Sequence, residues 1–140
     1  MRIVLDTNVI VSAFASRGLC SEVFEVCLSD HTIIISEHIL SEVKEKLISK
    51  IHLPNNIAHD IINYLKEVAE TSEPEPIYEN ICRDKDDIKI LGNALSGDAR
   101  FIITGDEDLL SLKRYRNIEI ISPREFWNYL SCKVRKDKGG

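Results

Sequence analysis

Four acidic residues, Asp6, Glu42, Asp87 and Asp106, stand at or near the ends of apolar runs spread over the whole chain. Asp6 closes Ile3-Val4-Leu5, and Asp106 follows Phe101-Ile102-Ile103-Thr104-Gly105. A carboxylate just past the carboxyl end of a buried strand lies where open α/β sheets place their ligands. Two carboxylates about 4–5 Å apart repel by roughly 3–4 kcal/mol at an effective dielectric of about 20. Several together would consume much of the roughly 5–15 kcal/mol that stabilises a typical fold, so either some stay protonated or a cation binds. Donor sets made only of oxygen suit a hard divalent ion, Mg²⁺ or Mn²⁺. Such an ion can polarise a phosphodiester, activate water and stabilise a leaving oxygen.

The four positions differ in how well local pattern supports them. Read as a helix, Asp87, Ile90, Leu91, Ala94 and Leu95 fall at i, i+3, i+4, i+7 and i+8, so Asp87 points along an apolar stripe toward protein. An inward carboxylate needs a partner, because unpaired burial is costly. Asp84 and Asp86 are explained by a helix first turn, where acids cap and meet the dipole. Asp6-Thr7-Asn8 taken alone reads as a helix cap. The arrangement recurs at Thr104-Gly105-Asp106-Glu107-Asp108, where Gly105 permits a tight turn and leaves Asp106 and Asp108 at a second strand end. Periodicity leaves Glu42 as one candidate among Glu37, Glu42 and Glu45. The histidines, His31, His38, His52 and His59, show no shared spacing with these acids and read as surface or satisfied residues.

The elements that must bring these side chains together alternate from end to end. Ile3 to Leu5 reads as a strand buried on both faces, and Thr32 to Ile35 as a second, rich in β-branched residues. Helical patterns follow at Asn8 to Ser16, Ser21 to Leu28 and Ser36 to about Lys50. Pro54 opens another helix, with Ile57, Ile61, Leu65 and Val68 expected on one stripe. Glu73-Pro74-Glu75-Pro76 is a loop leading to a strand remnant at Ile77-Tyr78. Asp84 to Ser96 is helical, Phe101 to Ile103 and Ile118 to Ile121 are strands, and Pro123 starts a last helix with Phe126, Trp127 and Leu130. Strands separated by helices imply parallel pairing with right-handed crossovers.

At 140 residues the chain suits one domain, expected over residues 1–131, followed by a basic, flexible tail over residues 132–140. No apolar stretch approaches the roughly 18–20 residues of a membrane span, and no signal peptide is visible, so a cytoplasmic location is the expectation. Cys20, Cys27, Cys82 and Cys132 form no C-x-x-C pair and no Cys/His cluster with zinc spacing; buried free thiols are expected, with Cys20 and Cys27 on one core face. A net charge of −5 argues against indiscriminate nucleic-acid binding through a broad basic surface, yet a bound cation would reverse the local field.

In order and spacing these residues resemble the PIN-domain family of metal-dependent ribonucleases. The matching pieces are Val4-Leu5-Asp6-Thr7-Asn8 with Ser12, then Ser41-Glu42-Val43, Asp84-Lys85-Asp86-Asp87-Ile88-Lys89-Ile90-Leu91 and Ile103-Thr104-Gly105-Asp106-Glu107-Asp108-Leu109-Leu110, covering essentially the whole chain. The resemblance implies a three-layer α/β/α sandwich around a central parallel sheet of four to five strands. It selects Asp6, Glu42, Asp87 and Asp106 as the metal-binding and catalytic quartet, with Asp108 as a fifth acid. Thr7, Asn8, Ser12 and Thr104 resemble the polar positions that orient ligands and water. It further implies an Mg²⁺- or Mn²⁺-dependent endoribonuclease cutting RNA. The compact length and the T-G-D-x-D-L-L stretch are similar to the toxin-type members, which implies a homodimer restrained by a cognate antitoxin. Two readings compete with this one. A phosphatase with Asp6 as acyl-phosphate nucleophile would carry a second acid where this chain has Asn8. A metal-stabilised module that binds protein or RNA without cutting accords with the acidic net charge.

Overall fold

The computed structural model describes residues 1–139, with backbone alone over residues 134–139. Its strands and helices alternate as β1 (Arg2–Leu5), α1 (Thr7–Ala15), α2 (Leu19–Asp30), β2 (Thr32–Ile35), α3 (Glu37–Ser49), α4 (Asn55–Val68) and β3 (Glu70–Thr71). They continue with α5 (Lys85–Ser96), β4 (Phe101–Ile103), α6 (Glu107–Leu112), β5 (Arg114–Tyr115), β6 (Ile118–Ile121) and α7 (Pro123–Gly139).

The strands form one sheet in the order β3-β2-β1-β4-β6-β5. All pairs are parallel except β5 with β6. The chain steps outward from β1 through β2 to β3, then crosses back to β4 and on to β6. With right-handed crossovers, opposite directions of travel put the connecting helices on opposite faces of the sheet. Helix α1 packs on both α2 and α3, α3 packs on α4, α7 lies against α2, and α5 touches β1, β2 and β4. This is the expected three-layer α/β/α sandwich.

Core composition follows from strand placement. Ile3, Val4 and Leu5 in β1, Ile33, Ile34 and Ile35 in β2, and Phe101, Ile102 and Ile103 in β4 are all buried, because helices cover both faces. Each such side chain contributes about 1.5–3 kcal/mol relative to exposure. Toward the sheet edge β6 alternates instead, with Ile118 and Ile120 inside. Phe126 of α7 is fully buried and packs edge-on against Phe101.

Several expectations are revised. The strand after the fourth helix is Glu70–Thr71, not Ile77-Tyr78; Tyr78 is exposed, and residues 72–84 form no strand. Five strands pair in parallel, as expected; what is added is β5, a sixth strand forming an antiparallel edge hairpin with β6. In α4 the buried face is Ala58, Ile62 and Leu65, whereas Ile57 and Val68 are exposed. Cys27 is buried and Cys20 only half-buried, and the four cysteines are free. The segment expected as a separate tail continues the backbone of α7 through Gly139, and the part at Gly140 lies outside the described residues. Among the described residues no helix is long and apolar enough to cross a membrane.

Candidate metal centre

Strand β1 is flanked by β2 on one side and β4 on the other, and their connections leave in opposite directions. That is a topological switch point, and the crevice beyond the carboxyl ends of such strands is where α/β sheets take ligands. The register pairs Leu5 with Ile103, so the next residues on each strand, Asp6 and Thr104, emerge side by side. The Asp6 amide donates to the Ile103 carbonyl at 3.0 Å, extending the ladder to the edge of the crevice.

Asp6 is the N-cap of α1: its Oδ1 accepts from the Thr7 amide at 2.7 Å. The cap and the site are therefore the same side chain. Its second oxygen, Oδ2, accepts from the buried Thr104 hydroxyl at 2.6 Å. The Thr104 oxygen in turn accepts from the Asp106 amide at 3.0 Å, so one hydroxyl joins the two strand ends. Burial raises the Asp6 carboxyl above its usual range, an effect opposed by the Thr104 and Thr7 hydrogen bonds and reinforced by the charge of Asp106.

Asp106 caps α6 as Asp6 caps α1, its Oδ1 accepting from the Asp108 amide at 2.8 Å. Asp87 enters from the first turn of α5 and is buried, as its place on the apolar stripe predicts. Asp84 is the cap of that helix, its Oδ1 accepting from the Asp86 amide at 2.9 Å, which leaves Asp87 free of capping duty. One oxygen each from Asp87, Asp106 and Asp108 lie within 4.8 Å of one another. Burial first, and then the Asp106 charge, push the Asp87 carboxyl up to about 7. Its Oδ2 is buried without a hydrogen-bond partner. An acid that has a shielded, unpartnered oxygen and stands among two more acids is what a hard cation would satisfy, so these residues fit Mg²⁺ or Mn²⁺.

Glu42 stands apart from that trio. Of the three acids on α3 that pattern could not separate, Glu37 and Glu45 are exposed and Glu42 is half-buried. Its Oε1 lies 2.8 Å from His38 Nε2, and Asp86 Oδ1 lies 3.1 Å from the same nitrogen. Burial and the Asp86 charge raise the Glu42 carboxyl, while His38 and Lys46 pull it down. Asp6 is linked by charge to both groups: the charge of Asp106 acts on it, and its own acts on Glu42 and Asp87. His38 is the site residue that sequence reasoning missed. The signal was present: His38 and Glu42 are i, i+4 on one helix, the spacing that makes helix neighbours.

The polar positions divide. Thr104 and Thr7 hold Asp6, Thr7 through its amide. Asn8 is exposed and accepts from Lys46 Nζ at 2.9 Å, which fixes a cation within charge range of Asp6 and Glu42. Ser12 is exposed, and its described hydrogen bond is the backbone one from Ser16 that ends α1. Cys82, half-buried near Asp87 and Asp108, has its thiol raised by burial and by those acids, which disfavours the thiolate.

Comparison with known proteins places this geometry among relatives. A family model described as PIN domain matches residues 2–108. The uncharacterized protein MJ1680 of Methanocaldococcus jannaschii is 31% identical over 140 residues, which span 90% of this chain and 89% of that protein. The fold is similar to VapBC-1 from nontypeable Haemophilus influenzae, with a TM-score of 0.61 at 18% identity, covering 89% of this chain and 99% of that one. It is also similar to VapBC2 from Rickettsia felis, solved bound to a DNA fragment from their promoter, with a TM-score of 0.59 at 19% identity, covering 87% of this chain and 98% of that one.

Proposed function

The chain belongs to the PIN-domain family, and from that premise we propose that it is a metal-dependent endoribonuclease, the toxin of a toxin–antitoxin pair. The observation that carries the reading is Asp87: a buried acid with an unpartnered oxygen, set against Asp106 and Asp108 at the switch point of the sheet. Asp87, Asp106 and Asp108 would hold an Mg²⁺ or Mn²⁺ ion, with Asp6 beside them. Bound there, the cation supplies Lewis-acid polarisation of a phosphodiester and lowers the pKa of water.

The chain's own residues supply orientation. Both oxygens of Asp6 accept a hydrogen bond, so its carboxylate cannot swing away from the crevice. Asp106 spends one oxygen on the α6 cap, which aims the other toward Asp87. Lys46, tethered by Asn8, offers a positive charge to a phosphate at the rim of an otherwise acidic mouth. The thiol beside the cluster, Cys82, is held protonated, which supports attack by water rather than by a protein nucleophile. The two fold neighbours named above are VapBC proteins, which supports an antitoxin as partner. Basic antitoxin side chains would suit the acidic crevice. A homodimer, and work in the cytoplasm where RNA is reached, complete the reading.

The test uses purified protein with varied single-stranded RNAs, with and without Mn²⁺. Asp6→Asn is expected to lower cleavage by about 100-fold or more, the scale on which loss of transition-state charge stabilisation acts, while circular dichroism shows a folded chain. Undiminished cutting by that variant would refute the site. Failure of the wild type to cut any RNA would favour a binding module instead.

A further inference from the structure

A cavity of about 360 Å³ lies where α3, the start of α5 and the segment after β3 meet. Pro74, Ile77 and Ile88, all half-buried, give it an apolar lining. His38, ion-paired with Glu42 and Asp86, also lines it, so the cavity adjoins the acidic crevice. Its other polar groups are the carboxylates of Glu37, Glu73 and Glu75 and the ammonium of Lys89. Among the described residues none of these four side chains takes part in an ion pair. An apolar hollow with a few placed polar groups is the form of a site for one small planar group. The wall that carries Glu75 is fixed in advance. Ser72 donates its amide to the Ile35 carbonyl at 2.8 Å, and its carbonyl accepts from Asn93 Nδ2 at 3.0 Å. Glu75 donates its own amide to the Gly92 carbonyl at 2.9 Å, and a proline on each side locks the backbone further. A wall so tied loses little freedom when something binds.

We propose that this cavity holds the base of a nucleotide flanking the scissile phosphate, and that Glu75 and Lys89 select guanine there. The inference rests on the proposed function, which supplies the RNA. Guanine carries two adjacent donors on its Watson–Crick edge, N1–H and the N2 amino group, next to one acceptor, O6. A carboxylate accepts both donors side by side, and a lysine ammonium donates to O6. Adenine and cytosine set a ring-nitrogen acceptor beside their amino group, and uracil flanks its ring N–H with two carbonyls. Each would turn at least one lone pair toward a carboxylate, and an apolar hollow holds little water to relieve the mismatch. Single-stranded RNA is read in this manner, through unstacked bases bonded on their edges. Glu37 and Glu73 add negative charge at the rim, which a neutral base tolerates and a phosphate does not. Ile88 and Lys89 directly follow Asp87 in α5, so a base seated here fixes where the backbone crosses the acids.

The test reads base preference apart from cleavage. Short 2′-O-methyl oligouridines with one central A, C, G or U are titrated into the full chain with Mn²⁺ present, followed by fluorescence anisotropy. A further oligonucleotide carries inosine, which lacks the N2 amino group. The guanosine form is expected to bind about tenfold or more tighter than the A, C and U forms, with inosine intermediate. Glu75→Gln preserves size and removes the charge, and should erase the preference for guanosine; Lys89→Gln should lessen it. Both positions are exposed, so each variant should fold, which its melting temperature checks. Fragments cut from a randomised single-stranded RNA by the wild type should carry guanosine at one fixed position beside the cut. Equal binding of the four forms, which would leave the cavity to a protein segment, overturns the proposal. So does inosine binding as well as guanosine, or a Glu75→Gln chain that still prefers guanosine. A protein that cuts RNA without base preference sinks this inference and leaves the proposed function standing. One that prefers guanosine yet cuts nothing does the reverse.

Discussion

A carboxyl group placed as Asp87 is, buried with one oxygen unpartnered and Asp106 beside it, keeps its proton up to a pH of about 7 in the folded chain but not in the unfolded one. Between about pH 4 and 7 the native state therefore binds more protons than the denatured state, and linkage makes metal-free stability fall as pH rises. Discounted for solvent screening, the loss is about 1–2 kcal/mol, or roughly 3–8 °C in melting temperature. The metal-free protein should melt higher at pH 5 than at pH 7.5. Mg²⁺ or Mn²⁺ should raise the melting point at pH 7.5 and have little effect at pH 5. Asp87→Asn should flatten the pH slope and remove the metal response; a steep slope in that variant would show that another group is responsible. Asp87 was legible in the sequence because an acid on an apolar helical stripe has only protein to face. Glu42 was not separable from Glu37 and Glu45, since all three acids lie on the same helix within little more than two turns and only packing tells them apart. His38 was legible in principle through its i, i+4 relation to Glu42.

At the scale of elements, the segment over residues 72–84 reaches the site by lying across α5. Glu75 donates its amide to the Gly92 carbonyl at 2.9 Å, and a side chain at Gly92 would collide with the Glu75 backbone. Gly92 is thus a close-approach glycine in the helix that delivers Asp87. Gly92→Ala would gain helix propensity but must displace the loop, for a net destabilisation of about 1–3 kcal/mol. Urea denaturation should show that loss, and hydrogen exchange should show faster exchange of the Glu75 amide; an unchanged Glu75 amide would mean the loop is held elsewhere. The long strands and amphipathic helices were readable from period alone. β3 and β5 were not, because two residues carry no period, and Glu70-Thr71 and Arg114-Tyr115 lie exposed or half-buried. The α4 stripe was misplaced because Ala58 lies inside and Ile57 at the edge, which hydrophobicity ranks the other way.

Over the whole molecule the net charge is −5, and on the proposed function an acidic crevice would receive a polyanion. Without a divalent ion that approach would be opposed. Binding of a non-cleavable, 2′-modified oligonucleotide should therefore tighten at least about tenfold on adding Mn²⁺, contrary to the usual weakening of nucleic-acid complexes by salt. Equal affinity with and without Mn²⁺ would place RNA on some other face. Alternation of strands and helices foretold the layered architecture, but not which strand neighbours which, since order is decided by long-range pairing. That order has its own outcome for synthesis. β1 finds β2 early, yet its other edge stays bare until Phe101–Ile103 is made, and Thr104 can clasp Asp6 only from 98 positions further along the chain. Under the proposed function, a chain emerging from the ribosome N-terminus first could not assemble the crevice, and so could not cut RNA, until Thr104 and Asp106 had been made.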